Sequence, residues 1–472
     1  MQPPSHRHAH PTDRRRKVRR RAVEDRPVLE PNAAGIDIGA REIFVALPAD
    51  RDPQPVRVFK TFTEDLQRLC EWLVSCRITT AAMESTGVYW IPLYDLLETH
   101  GLTPCLVNTR HLKNVPGRRT DWHECQWLQY LHSVGLLRAA FRPHADVCAV
   151  RTLMRHRADL ISMASQHVMH MHKAMTQMNL QLHHVIADIT GTTGLAIVDA
   201  ILAGERDPVQ LAALRDWRIK ASEETIQKSL VGTWRSEHLF TLQQSRDLYR
   251  TYLQQIVACD HAIETTLAAF EPRVDPGEKP LPPDRKRNRS GHRHRRKQGH
   301  DTPFDLRTEA YKLFGVDVTQ IPGLETMALP LFSEVGRDLS RWPTASQFVS
   351  WLALCPDNDI SGGRVLWRAA RPVKTRAGHL FRLAAHSLHR SPTPLGDYLR
   401  RMKARLGPAA ATTATAHKIA TIFYVMVTRQ VEYDDTLWAT RDAERDRRRQ
   451  FKLRRQAKRL GFDLVPIDTP AA

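Results

Sequence analysis

The sequence predicts an α/β domain near its N-terminal end, followed by a mostly helical chain. Three observations carry this. Short apolar runs crowd between residues 33 and 107, helical apolar spacing falls between and after them, and residues 145–187 hold almost no Gly or Pro.

Taken in order, residues 1–31 are rich in Pro, His and Arg and include the block Arg14-Arg15-Arg16-Lys17. Nothing there builds a core, so they read as a disordered basic arm. Residues 33–38 and 42–47 are apolar runs separated by Gly39-Ala40-Arg41, which predicts a hairpin. Residues 55–61 read as a third strand. Leu66, Leu69, Leu73 and Val74 give 63–76 a helical stripe. A strand over 79–83 ends at Glu84. A helix over 89–100, a strand over 103–107 and a helix over 121–137 follow. This order is that of the ribonuclease-H-like fold, although other α/β folds share it.

Beyond residue 145 the stripe Val150, Leu153, Leu160, Ile161 predicts a long helix or coiled-coil arm suited to dimerisation. Its Met and His residues read as packing and solvated face rather than as a metal site. Residues 189–204 and 321–336 form a weak repeat, matching at Ile189/Ile321, Gly191/Gly323, Ala196/Ala328 and Gly204/Gly336. A Gly turn before an apolar helix has a helix-hairpin-helix look, in which backbone N–H groups face a phosphate. Residues 275–302 are rich in Pro, Gly and Arg/Lys without periodicity and read as a linker. The expected divisions are a basic arm (1–31), an α/β domain (32–144), a helical middle (145–274), a basic linker (275–305), a mostly helical C-terminal domain (306–432) and a basic helical tail (433–472).

The formal net charge of +19 over 472 residues points to a polyanionic partner. Seven cysteines, without a CxxC pair, argue against a disulfide framework and for a reducing cytoplasm. No apolar run reaches the ~18 residues of a membrane span, which favours nucleic acid over membrane as the partner.

Four carboxylates stand out. Asp37 interrupts the apolar run Gly35-Ile36-Asp37-Ile38-Gly39, a costly placement unless it meets a cation or a partner. Glu84 ends a strand. Asp121 and Glu124 open a helix three residues apart and share a face, although carboxylates also suit a helix start for dipole reasons. Converged at one sheet edge, such hard oxygen donors suit Mg²⁺ or Mn²⁺ and phosphodiester chemistry.

The runs GIDIG, MESTGVYW and NTRHLKNVPGRRTDWHECQWLQYLHSVGLLRAAFRP resemble the N-terminal domain of the DEDD transposases of the insertion-sequence-110 family, to which the Piv-type invertases are related. On that motif Asp37, Glu84 and Asp121 match the first three acids. The fourth is usually Asp, and Glu124 stands there instead. Residues 348–363, FVSWLALCPDNDISGG, resemble the family's C-terminal domain, and Ser361 matches its serine, implied to be a nucleophile on DNA. IPGLETMA at 321–328 matches the opening of that domain's helix-hairpin-helix. The resemblance spans roughly 33–430, with an unusually long stretch at 205–310.

It implies a RuvC-like catalytic domain, divalent metal at the four acids, and donor and target DNA as substrates. It also implies an element-encoded guide (bridge) RNA, dimers or tetramers, and a bacterial, nucleoid-associated setting. Arg118, Arg119, Gly323, Arg364, Arg368, Lys374 and Arg376 are the expected nucleic-acid contacts, since arginines hold phosphates well. Three alternatives stay open: a DNA invertase or RuvC-like nuclease, a non-catalytic nucleic-acid binder, and an actin-like sugar kinase. The kinase needs a second phosphate loop and an adenosine motif, and the sequence has neither.

Overall fold

A computed structural model describes residues 26–85, 87–108, 121–283, 302–362, 364–370, 375–435, 447 and 450–463. The chain divides into two compact units, Met1–Arg142 and Pro143–Ala472.

The first unit is a mixed five-stranded sheet with helices, consistent with a ribonuclease-H-like domain. Its strands are β1 (Ala33–Ile38), β2 (Glu42–Ala46), β3 (Val56–Lys60), β4 (Thr80–Glu84) and β5 (Thr103–Val107), in the order β3-β2-β1-β4-β5. The β1–β2 and β2–β3 pairs are antiparallel, whereas β1–β4 and β4–β5 are parallel. Parallel neighbours need crossovers, and helices α1 (Thr63–Ser75) and α2 (Trp90–Thr99) supply them.

Side chains alternate across a strand, so each strand feeds two layers. Ile36, Ile38, Ala81 and Met83 pack against Leu66, Leu69, Leu73 and Leu93 of α1 and α2. On the opposite face Ala82 and Cys105 meet Leu128 and Leu131 of α3 (Asp121–Ser133). This helix stops four residues short of the expected end at 137, and Gly135 follows with φ +68°. At the end of the expected basic arm, the N–H groups of Leu29 and Glu30 both donate to Ser133 O, tying residues 29 and 30 to the end of α3. Residues 1–25 lie outside the described residues.

Among its described residues, the second unit is helical apart from one two-stranded ribbon. Helix α4 (Ala145–Gln177) ends ten residues before the predicted 187, and a 3-10 turn (Leu182–His184) follows. Short helices α5 (Thr192–Leu202), α6 (Pro208–Ala213) and α7 (Glu223–Ser229) lead to α8 (Ser236–Ala268). Helices α4 and α8, 33 residues each, run antiparallel: Arg157 meets Asp260, while His167 stacks on Tyr252 at 5.4 Å. Met171, Met175 and Met178 lie in the core between them, so the predicted packing role of methionine here is what the structure shows.

Further helices are α9 (Leu306–Phe314), α10 (Ala328–Val335), α11 (Ala345–Trp351), α12 (Arg376–Ser387), α13 (Pro394–Leu406) and α14 (Pro408–Arg429), and residues 450–459 of the expected basic tail are helical too. Helices α9, α10, α11, α12 and α14 meet at Phe314, Phe332, Phe348, Phe381 and Phe423, all fully buried and in ring contact. Part of the expected linker is tied down, since Pro282 O accepts from Arg307 Nη2 at 2.5 Å. Residues 284–301 lie outside the described residues.

Candidate active site

The site is assembled by one close approach. Gly35 sits on β1 facing α3, and a Cβ there would lie 2.2 Å from both Cys125 O and Gln129 N. Only hydrogen lets the helix backbone descend that far onto the strand. Gln129 Nε2 then donates to Ala33 O at 3.2 Å and pins the helix along β1. Asp37 lies two residues beyond Gly35 and so shares its face. Asp121 and Glu124 lie in the turn of α3 just before Cys125.

Glu84 joins from the neighbouring strand. The parallel register pairs Ile36 with Met83, and one further step sets Asp37 beside Glu84 at the ends of their strands. Glu84 is 6% exposed. The carboxyl ends of adjacent parallel strands are the usual place for a ligand crevice in α/β sheets.

Asp37, Glu84, Asp121 and Glu124 all line one cavity of about 760 Å³. Arg41, Glu42 and Lys60 line it too, and the sequence reading did not single them out. The β2–β3 register pairs Glu42 with Lys60, and the two form an ion pair. The hairpin prediction already set Arg41 beside the end of β1, but nothing in the sequence tied β3 to the same cavity. Among the described lining residues, carboxylates outnumber cations by five to two. The Cys125 thiol reports this: burial first, and then the Asp37 and Asp121 carboxylates, push it up to about 12.

The lining donors suit a hard cation in kind, being carboxylate oxygens. Among the described residues no three His, Cys, Asp or Glu side chains stand close enough together to hold a metal ion. A Mg²⁺ ion commonly takes one or two carboxylates and fills its remaining positions with water and substrate phosphate, so the donor set fits such an ion.

Ser361 lies in the second unit, in a setting absent from the sequence reading. It ends strand β6 (Pro356–Ser361), which pairs antiparallel with β7 (Arg364–Ala370), Ser361 opposite Arg364. Gly362 at the turn has φ +55° and open space around it. Ser361, Arg364 and Arg376 are exposed. Arg368 pairs in register with Asn358. Arg118, Arg119 and Lys374 lie outside the described residues.

Gly323 is buried, with φ +93°, and a Cβ there would meet Ala384 O at 2.5 Å. Close packing against α12 therefore accounts for this glycine without a phosphate. In the weak repeat, Gly204 and Gly336 each follow a helix with positive φ, +104° and +70°. These two glycines act as helix stops.

Two family models match the chain. One, described as transposase and of the DEDD, IS110 kind, matches residues 34–180. The other, described as transposase of the IS116/IS110/IS902 family, matches residues 317–399. The first span contains the four carboxylates and the second contains Ser361. No curated protein matches the chain.

Proposed function

The chain belongs to the IS116/IS110/IS902 family of transposases, and from that premise we propose that it cuts and exchanges DNA strands at an insertion sequence by metal-dependent chemistry at its acidic cavity, with Ser361 as nucleophile. The observation that carries this reading is the meeting of Asp37, Glu84, Asp121 and Glu124, from two strands and a helix, around one cavity. Carboxylates lining one cavity offer hard oxygen donors, and one or two of them with water and substrate phosphate would suffice to hold a divalent cation there.

Asp37 and Glu84 stand on neighbouring strands of a packed sheet and hold fixed positions. Asp121 and Glu124 extend from the first turn of a helix, and the longer arm of Glu124 gives the fourth donor more reach than the family's Asp. Mg²⁺ or Mn²⁺ bound there supplies charge for the phosphoryl oxygens and the departing oxygen. The Ser361 Oγ bonds to phosphorus as one strand P–O bond breaks, and the proton the hydroxyl loses is matched by the one the departing strand oxygen takes up to leave as a free hydroxyl end. The phosphoester so formed keeps the bond energy for rejoining to a new end. Arg364 and Arg376 hold the phosphate during this exchange. A guide RNA encoded by the element chooses the sites, and a dimer or tetramer brings the acids of one subunit to the serine of another.

The test supplies purified chain, flanking non-coding RNA, donor and target DNA, and Mg²⁺, and sequences the junctions formed. Junctions should vanish with Asp37→Ala, with Ser361→Ala and with EDTA. Persistence in Ser361→Ala would make the serine structural. Equal yield without the RNA would remove the guide, and persistence in EDTA would remove the metal.

A further inference from the structure

Within the second unit a cavity of about 620 Å³ carries arginines from two separate segments in its lining. Arg273 follows α8 and Arg337 follows α10, and both line it. Trp342 and Tyr424, each mostly buried, form part of the wall, and the hydroxyl-bearing Ser340 and Thr428 stand at the cavity as well.

The two guanidiniums are not balanced alike. Arg337 Nη1 donates to Glu271 O at 2.5 Å, which fixes it in place. Among the described residues no carboxylate forms an ion pair with Arg273. Asp338 also lines the cavity, but its carboxylate accepts from Ser340 N and Ser340 Oγ, both at 2.9 Å, and so is taken up by its own turn. Burial and then the Arg337 charge hold the Arg273 guanidinium below the ordinary arginine range, with Asp338 acting the other way. Two cations thus face one open cavity with a partly apolar wall, Arg273 exposed and Arg337 half-buried, so an anion from solvent can reach both. An anion between them relieves their repulsion, and guanidiniums match phosphate oxygens in shape.

We infer that Arg273 and Arg337 form a phosphate-binding site that grips the backbone of a bound nucleic acid. The family's DNA substrates make a phosphodiester the fitting anion. The inference rests on that membership and not on the acidic cavity. Arg337 lies inside the second matched span, whereas Arg273 lies outside both.

The test measures binding of a labelled single-stranded oligonucleotide to the full chain across a salt series, without cleavage as a readout. Its outcome therefore does not depend on the acidic cavity. DNA and RNA versions are run side by side to tell which strand occupies the site. Arg273→Ala should weaken binding roughly tenfold near 0.1 M salt and reduce the log–log salt slope by about 0.7, the value of one lost phosphate contact on a single strand. Arg273→Lys should keep the slope. Arg405→Ala, at an exposed arginine elsewhere, should leave both quantities near wild type. Thermal melting of each variant confirms the fold, which Arg273→Ala should leave intact. Unchanged binding in Arg273→Ala overturns the inference, as does an equal loss in Arg405→Ala. Thermal stabilisation of wild type by inorganic phosphate, with oligonucleotide binding indifferent to Arg273, would make the site one for free phosphate and overturn the backbone assignment.

Discussion

Gly35 does as much for the candidate site as any carboxylate, and it does so by having no side chain. Its missing Cβ lets α3 lie against β1 and so brings Asp121 and Glu124 to the cavity of Asp37. Gly35→Ala should therefore cost about 1–3 kcal/mol, the usual range for overpacking, in a urea melt. It should also reduce junction formation, although every carboxylate is retained. Full activity in a destabilised Gly35→Ala protein would show that α3 need not sit where it does. Cys125, beside that contact, is buried and its thiol is pushed up to about 12. It should stay unmodified under iodoacetamide at pH 8 while the half-buried Cys148 and Cys355 react, as peptide mass mapping would reveal.

At the scale of elements, the α4–α8 pair is the main device of the second unit. The stripe on α4 reads in sequence as an arm suited to dimerisation, whereas in the structure a 33-residue helix of the same chain packs along it. Arg157 clasps Asp260 through two hydrogen bonds of 2.5 and 3.1 Å, and Asp260 is 1% exposed. Removing one partner of such a buried pair strands the other charge. Asp260→Ala should cost about 3–5 kcal/mol by chemical denaturation, and replacing both residues by apolar ones should recover most of it. A loss below about 1 kcal/mol, the range of surface pairs, would show that water reaches the pair. Farther along α4, Arg155 forms a two-bonded pair with Glu334 and Arg151 donates to Ser333 O, which fastens α10 to the long helix. The helical middle and the C-terminal helices accordingly share one compact unit.

For the whole molecule, charge and pH set the working conditions. A net charge of +19 predicts nucleic-acid affinity that falls steeply with salt, by about 10³–10⁵ between 50 and 200 mM if 6–10 phosphates are contacted. A flat salt response would remove the backbone-binding role of the basic segments. Stability has its own pH signature. Burial lowers the pKa of His132 in the first unit, against an opposing pull from Glu30, and burial then Lys418 lower that of His417 in the second. A histidine whose folded pKa is depressed takes up its proton more readily when unfolded. The stability it contributes is present above the unfolded value near 6.5 and is lost as pH falls below it. Melting temperature should thus drop from pH 7.5 to 5.5, and less so in His132→Gln. An equal drop in that variant would place the sensitivity elsewhere.

The sequence by itself determined the strands and helices of the first unit almost to their ends, because alternating and helical apolar periods report burial directly. It also marked Asp37 and Glu84, since a carboxylate closing an apolar strand is conspicuous without coordinates. The ends of α3 and α4 were less legible, because the apolar pattern runs past the residues at which the backbone turns. The β6–β7 ribbon carrying Ser361 was hidden for a related reason: its polar first strand, Pro356-Asp357-Asn358-Asp359, reads as loop until a partner strand pairs with it. The inclusion of Arg41 and Lys60 in the acidic cavity, the packing reason for Gly323 and the meeting of Arg273 with Arg337 were decided by the tertiary structure alone. Each depends on segments distant in sequence, and local periodicity carries no information about which distant segments will touch.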